Sequence, residues 1–244
     1  MTLALLPVLA AQGARLMRRV PDVPEAQGAR HGVVGAGSAA GSLSDPASAP
    51  FRLLVIGEST AVGVGAPTQR LGLAGQLALA LQRRSGRDVQ WRVVGRSGFT
   101  AAQVRHQLLA TLTPRAPRDA VDLAVVVLGV NDTRGLTRPR QWRQHVQAIV
   151  RGVQAQTHAR SVLFTGVPRM GDFLGLPWPL RDVLDARSRM LDAALGAAVA
   201  ELAGVDHVPF TVRIPPELFC HDGFHPAPEG YRLWAEFLLD SRDL

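Results

Sequence analysis

Four short segments of this sequence carry residue types that can do chemistry. They are Gly57-Glu58-Ser59, Gly95-Arg96-Ser97-Gly98, Gly129-Val130-Asn131-Asp132 and Asp222-Gly223-Phe224-His225-Pro226. A serine hydroxyl is a poor nucleophile until a base takes its proton. His225 can be that base for Ser59. The base in turn needs a carboxylate on its other ring nitrogen, to fix the tautomer and stabilise the imidazolium. Asp222, three residues before His225, is close enough along the chain to be that partner. A tetrahedral oxyanion needs preorganised donors, each worth ~3 kcal/mol of transition-state stabilisation. The Ser59 N–H, the Gly98 N–H and the Asn131 side-chain amide are the candidates, glycine at 98 allowing close backbone approach.

These residues work together only if the fold collects them. From Arg52 onward the pattern alternates. Arg52–Ile56, Gln90–Val94, Leu123–Leu128, Ser161–Val167 and Val205–Val208 are expected as strands. The run at 123–128 is continuously apolar and rich in β-branched residues, as a central parallel strand should be. Arg70–Arg84, Thr100–Leu112, Arg138–Gln156, Arg181–Leu202 and Ala227–Leu239 carry helical spacing. Five alternations predict an α/β fold with a parallel sheet between helices. Ligands in such sheets bind beyond the carboxyl ends of the strands. All four segments fall at such ends.

On these four blocks the chain resembles the SGNH/GDSL hydrolases, whose blocks hold a serine, a glycine, an asparagine and a histidine. Here those map onto Ser59, Gly98, Asn131 and His225, with Asp222 completing Asp-x-x-His. The resemblance covers about residues 51–240. It implies a three-layer α/β/α, flavodoxin-like fold with a five-stranded parallel sheet and the serine just after the first strand. It also implies esterase, lipase, thioesterase or deacetylase activity with no metal or organic cofactor. The family's usual middle residue of the first block is aspartate, and here it is Glu58. The extra methylene keeps the charge but shifts its reach, so Glu58 is left outside the expected catalytic set.

Composition removes competing classes. Of 244 residues, 47% are apolar, enough for a large core. All 27 basic residues are arginine, which excludes P-loop, Schiff-base and Ser-x-x-Lys chemistry. The net charge of +7 comes from arginines scattered along the chain, without a zinc-finger or RNA-binding motif, so no nucleic-acid partner is expected. Residues 1–20 form an apolar stretch followed by Arg15, Arg18 and Arg19, the wrong order for an export signal. A helix lying on the domain or on a membrane surface is expected, in a cytoplasmic protein; peripheral membrane association and a cleaved export signal are the alternatives. Residues 21–50 are a Gly/Ala/Ser/Pro linker or arm, and residues 51–244 the hydrolase domain. The arm holds a dinucleotide-like fingerprint at Gly35, Gly37 and Gly41. Pro46 and Pro50 leave no room for the helix that such a site needs.

The segment from Met170 to Pro179 is apolar and too broken for a helix. Phe173, Leu174, Leu176 and Trp178 are candidates to line a pocket for an acyl chain or aromatic ester; the alternative is a loop folded onto the core. The lone Cys220 excludes a disulfide framework. His221, Asp222 and His225 have permissive metal-ligand spacing but no further cluster to complete a site. The expected function is therefore hydrolysis of a small-molecule ester with an apolar part, through an acyl-serine. Acyl transfer or thioester hydrolysis on the same fold is the neighbouring alternative.

Overall fold

The computed structural model describes residues 6–19, 23–35, 49–112, 116–173, 175–211 and 214–241. Its centre is a six-stranded sheet in the order β1-β3-β2-β4-β5-β6. The strands are β1 (His31–Val34), β2 (Phe51–Gly57), β3 (Val89–Gly95), β4 (Leu123–Val127), β5 (Ser161–Thr165) and β6 (Val205–Val208). Strands β2 to β6 are parallel, in the doubly wound order of flavodoxin-like sheets. β1 pairs antiparallel with β3 at the edge, so the sheet has six strands, not the five expected. β1 is half solvated, and Val33 is exposed. Its Gly-containing tetrapeptide carries no apolar run, so periodicity could not find it. Gly32 lies flat against the Trp91 ring, where a Cβ would come within 2.9 Å. Of the fingerprint glycines, Gly35 ends this edge strand, and Gly37 and Gly41 lie outside the described residues.

Strand residues alternate between two cores. Leu53, Val55, Trp91 and Val125 pack with α2 (Leu73–Ser85) and with Tyr231, Trp234 and Leu238 near the chain's end. Leu54, Ile56, Val126 and Phe164 pack on the other face with Trp142, Val146, Ile149 and Leu191. Three layers result. The expected helix at Thr100–Leu112 is broken into α3 (Ala101–Gln103), a widened π turn over Val104–Leu108 and a tight 3-10 turn over Leu109–Thr111. The successive Leu108 and Leu109, at the junction of the two turns, both pack on the second core. The remaining expected helices match their apolar spacing closely: α5 (Pro139–Thr157), α6 (Leu180–Val199) and α7 (Pro228–Asp240), while the short polar α4 (Val130–Arg134) was not expected. Proline opens α5 and α7, where its missing N–H costs nothing.

The N-terminal helix α1 (Leu6–Arg19) lies on the domain. Leu9 packs on a third apolar cluster that includes Met170, Phe173 and Leu180. Gln12 bonds the Trp178 carbonyl at 2.7 Å and accepts from the Leu180 N–H at 3.2 Å. None of the described helices is long and apolar enough to cross a membrane.

The registers align the strand ends that matter. Gly57 pairs with Gly95 on one side and with Val127 on the other. A Cβ on Gly57 would lie 2.0 Å from the Val127 carbonyl oxygen, inside a rigid backbone. Gly57→Ala should therefore destabilise the fold by about 1–3 kcal/mol, measured as a lowered midpoint in chemical denaturation. An unchanged midpoint would mean the two strands can separate without loss.

Candidate active site

Strand β2 ends in Gly57, and the chain turns at once through Glu58 and Ser59. The turn is closed by the Val64 N–H donating to the Ser59 carbonyl at 3.0 Å. Ser59 thus stands at the carboxyl edge of the sheet, facing the segment before α7. There His225 Nε2 lies 2.9 Å from Ser59 Oγ. On the other side of the ring, Nδ1 lies 2.6 Å from Asp222 Oδ2. Asp222 Oδ1 accepts the N–H groups of Phe224 and His225 at 2.8 and 2.9 Å and the Cys220 thiol at 3.1 Å. The three candidate residues form one continuous hydrogen-bonded series.

The two carboxyls nearest Ser59 have opposite environments. Burial on its own would raise the Asp222 pKa. Hydrogen bonds from the His225 ring, the His225 and Phe224 N–H groups and Cys220 outweigh it and hold Asp222 well below the usual carboxylate range. Asp222 is therefore a fixed anion able to orient an imidazole. Burial pushes the Cys220 thiol up to about 11, which removes it as a reactive thiolate.

Glu58 is nearly inaccessible, at 2% exposure. It accepts the N–H groups of Val130 and Asn131 at 3.0 and 3.2 Å, and Asn131 Nδ2 also donates to it. Burial raises its pKa to about 7, against the pull of those donors, with nearby Asp132 adding to the rise. The longer side chain at this position thus reaches the Asn131 amide directly, a contact that sequence reasoning left open. The second contact of Asn131 Nδ2 is longer, 3.3 Å to the Phe99 carbonyl. Gly98 precedes Phe99 in the exposed turn after β3, with a φ of +82° that glycine adopts freely. Among the described residues, none accepts the Ser59 N–H.

Asp132 ties α4 to the start of α3 and to the turn after α4. Its carboxylate accepts the Ala101 N–H and the Thr137 hydroxyl, each at 2.8 Å. It is fully buried, and burial raises its pKa.

An apolar pocket opens beside Ser59, Asn131 and His225. Phe173 and Leu176 line it, as expected. Trp178 does not: it is 67% exposed and turned away, with its carbonyl bound to Gln12. Leu174 lies outside the described residues. Met170, at the start of the same segment, also lines it; sequence reasoning missed Leu184, Ile214, Phe219 and Phe224, which add to the wall. Phe173 sits between Phe219 and Phe224, with ring centroids 5.7 Å apart in each case. The signal for Phe219 and Phe224 was their position flanking Asp222 in the sequence. No group of three or more potential metal ligands occurs among the described residues.

A hydrogen-bonded Ser–His–Asp series at the switch point of a doubly wound sheet is the arrangement of an esterase- or lipase-type hydrolase. The chain belongs to the GDSL-like lipase/acylhydrolase family, whose model matches residues 55–233. Solved structures agree on the fold. TesA is 24% identical, with 78% of this chain and 97% of that one covered and a TM-score of 0.61. The psychrotrophic esterase EstA from Pseudoalteromonas sp. is 18% identical over 78% and 95%, with a TM-score of 0.58. The family 3 carbohydrate esterase of Clostridium thermocellum is 13% identical over 79% and 94%, with a TM-score of 0.57. No curated protein sequence matches the chain.

The raised Glu58 value has a consequence for stability. The folded state holds this proton more tightly than the unfolded chain, whose Glu titrates near 4.5. The associated stability is complete below about pH 4.5 and is lost as pH rises through about 7, by on the order of 3 kcal/mol. Urea denaturation across this range should show wild type losing stability relative to Glu58→Gln between those limits. Parallel curves for the two proteins would show that Glu58 titrates normally.

Proposed function

We propose that the protein is a serine ester hydrolase that cleaves carboxylic esters carrying a short to medium acyl chain or an aryl group. The observation that carries this is the unbroken series from Ser59 Oγ through His225 to Asp222, at 2.9 and 2.6 Å. The Ser59 hydroxyl donates to Nε2, and the protonated Nδ1 donates to Asp222. When Ser59 attacks the ester carbonyl, His225 takes its proton and Asp222 stabilises the resulting imidazolium. The protonated Nε2 then delivers that proton to the leaving alkoxide. Water, deprotonated by His225, releases the acid and restores Ser59.

The oxyanion would be held by the N–H groups of Ser59 and Gly98 and by the Asn131 amide. Glu58 holds that amide from behind. The weaker 3.3 Å contact with the Phe99 carbonyl is the one a substrate oxygen can displace. The apolar wall of Phe173, Leu176, Phe219 and Phe224 suits the acyl or aryl part. The structural neighbour EstA is described as inhibited by monoethylphosphonate, which supports the use of a phosphonate probe here.

Two measurements test this reading. Wild type should hydrolyse p-nitrophenyl esters from acetate to octanoate, and Ser59→Ala should lose at least about 10⁴-fold in kcat. Equal, slow rates for both proteins would remove Ser59 as nucleophile. Leu176→Trp should fill the pocket and lower the octanoate-to-acetate ratio of kcat/KM by roughly tenfold or more. An unchanged ratio would place the acyl chain elsewhere.

A further inference from the structure

The family match begins at residue 55, yet the segment before β1 is built into the site's margin. Glu25 Oε1 accepts the Ser97 N–H at 2.8 Å. Its other oxygen is paired with Arg30 Nη2. Arg30 Nη1 also donates to the Gly95 carbonyl at 2.8 Å. One ion pair therefore grips both ends of the Gly95–Ser97 backbone. The next residue is Gly98.

Beyond the Phe99 ring, which is buried in the second core with the Arg96 guanidinium over it, the turn's backbone has few holds. Residues 96–98 are exposed. Its own closing bond, from the Phe99 N–H to the Arg96 carbonyl, is long at 3.4 Å. The Arg96 N–H bonds the Gly57 carbonyl at 3.2 Å, and the Phe99 carbonyl meets Asn131 only at 3.3 Å. A glycine at positive φ adds conformational freedom. The two shortest bonds on the turn are those from the arm, and an ionised partner strengthens each.

The arm itself is firmly seated. The Ala26 N–H donates to the Val62 carbonyl at 3.1 Å, and Gln69 Nε2 bridges the Ala26 and Val62 carbonyls at 2.9 and 3.0 Å. The Ala26 methyl is buried against Gly63, where an added Cβ would come within 2.8 Å. The Val93 N–H donates to the Arg30 carbonyl at 2.7 Å. The clamp thus rests on the turn that carries Ser59 and on β3, the strand that leads into the Gly98 turn.

We infer that Glu25 and Arg30 are positioning residues that hold the Gly98 N–H in place for the developing oxyanion, from a segment outside the family's own blocks. This rests on the ester-hydrolase reading above. A donor displaced by a fraction of an ångström still allows substrate to bind but stabilises the transition state less. The loss should therefore fall on kcat.

The test compares wild type, Glu25→Ala, Glu25→Gln and Arg30→Gln on p-nitrophenyl butyrate, with thermal midpoints measured alongside. Glu25→Ala and Arg30→Gln should each lower kcat roughly tenfold, with KM within about twofold of wild type. Glu25→Gln keeps an acceptor for the Ser97 N–H and should recover most of the kcat that Glu25→Ala loses. Hydrogen exchange at Ser97 should quicken in Glu25→Ala. A Glu25→Ala kcat within twofold of wild type overturns the inference alone. So do equal losses in the alanine and glutamine variants that track a lowered midpoint. Absence of turnover and of Ser59 labelling by a phosphonate in wild type overturns the hydrolase reading and the inference with it.

Discussion

The arrangement depends on one buried acid. Glu58 sits at the end of β2 with almost no access to water. A carboxyl in that position must find donors inside the protein. It finds them in the loop that follows β4, in the backbone of Val130 and Asn131 and in the Asn131 amide. The end of one central strand is thereby stitched to the start of α4. Gly57 makes the stitch possible, because any side chain there would collide with the Val127 carbonyl. Ser59 and Asn131 belong to the ends of paired strands, and this side chain adds to the β2–β4 ladder a direct tie between the two.

Glu58 and Asp222 show how surroundings divide two chemically similar groups. Burial dominates at Glu58 and raises its pKa to about 7 despite the donors. At Asp222 the donors dominate and keep the carboxylate ionised. The difference suits different tasks. In the proposed reaction a group that stabilises an imidazolium has to stay charged, whereas one that holds an amide needs only acceptor oxygens.

Binding surface and chemistry are coupled through the same stretch of chain. The segment from Ile214 to His225 supplies Phe219 and Phe224 to the pocket wall and Asp222 and His225 to the polar series. Phe173 stacks on Phe224, meets Phe219 at a tilt and carries the wall across to the segment before α6. α1 braces that segment from outside, through Leu9 and Gln12. On the opposite margin, Glu25 and Arg30 brace the turn after β3. Two stretches of chain outside the family's matched region thus support the two sides of the site.

The parallel strands, most helix positions and the four chemical blocks were legible in the sequence, because each follows from a local period or from a short run of residue types. The Ser59, Asp222 and His225 constellation was legible for the same reason. Several features were decided only by tertiary structure. β1 was hidden because an exposed edge strand needs no apolar alternation. The helix at 101–111 changes its winding where Leu108 and Leu109 pack on the core. Trp178 turned away from the pocket while Leu184, from the next helix, and Ile214, far along the chain, came in. The reach of Glu58 to Asn131, and of Glu25 to Ser97, spans 73 and 72 positions along the chain. Local spacing specifies what a residue can do and which element it joins. Which distant donor meets which acceptor is set by strand order and register, and these emerge only when the whole sheet is assembled.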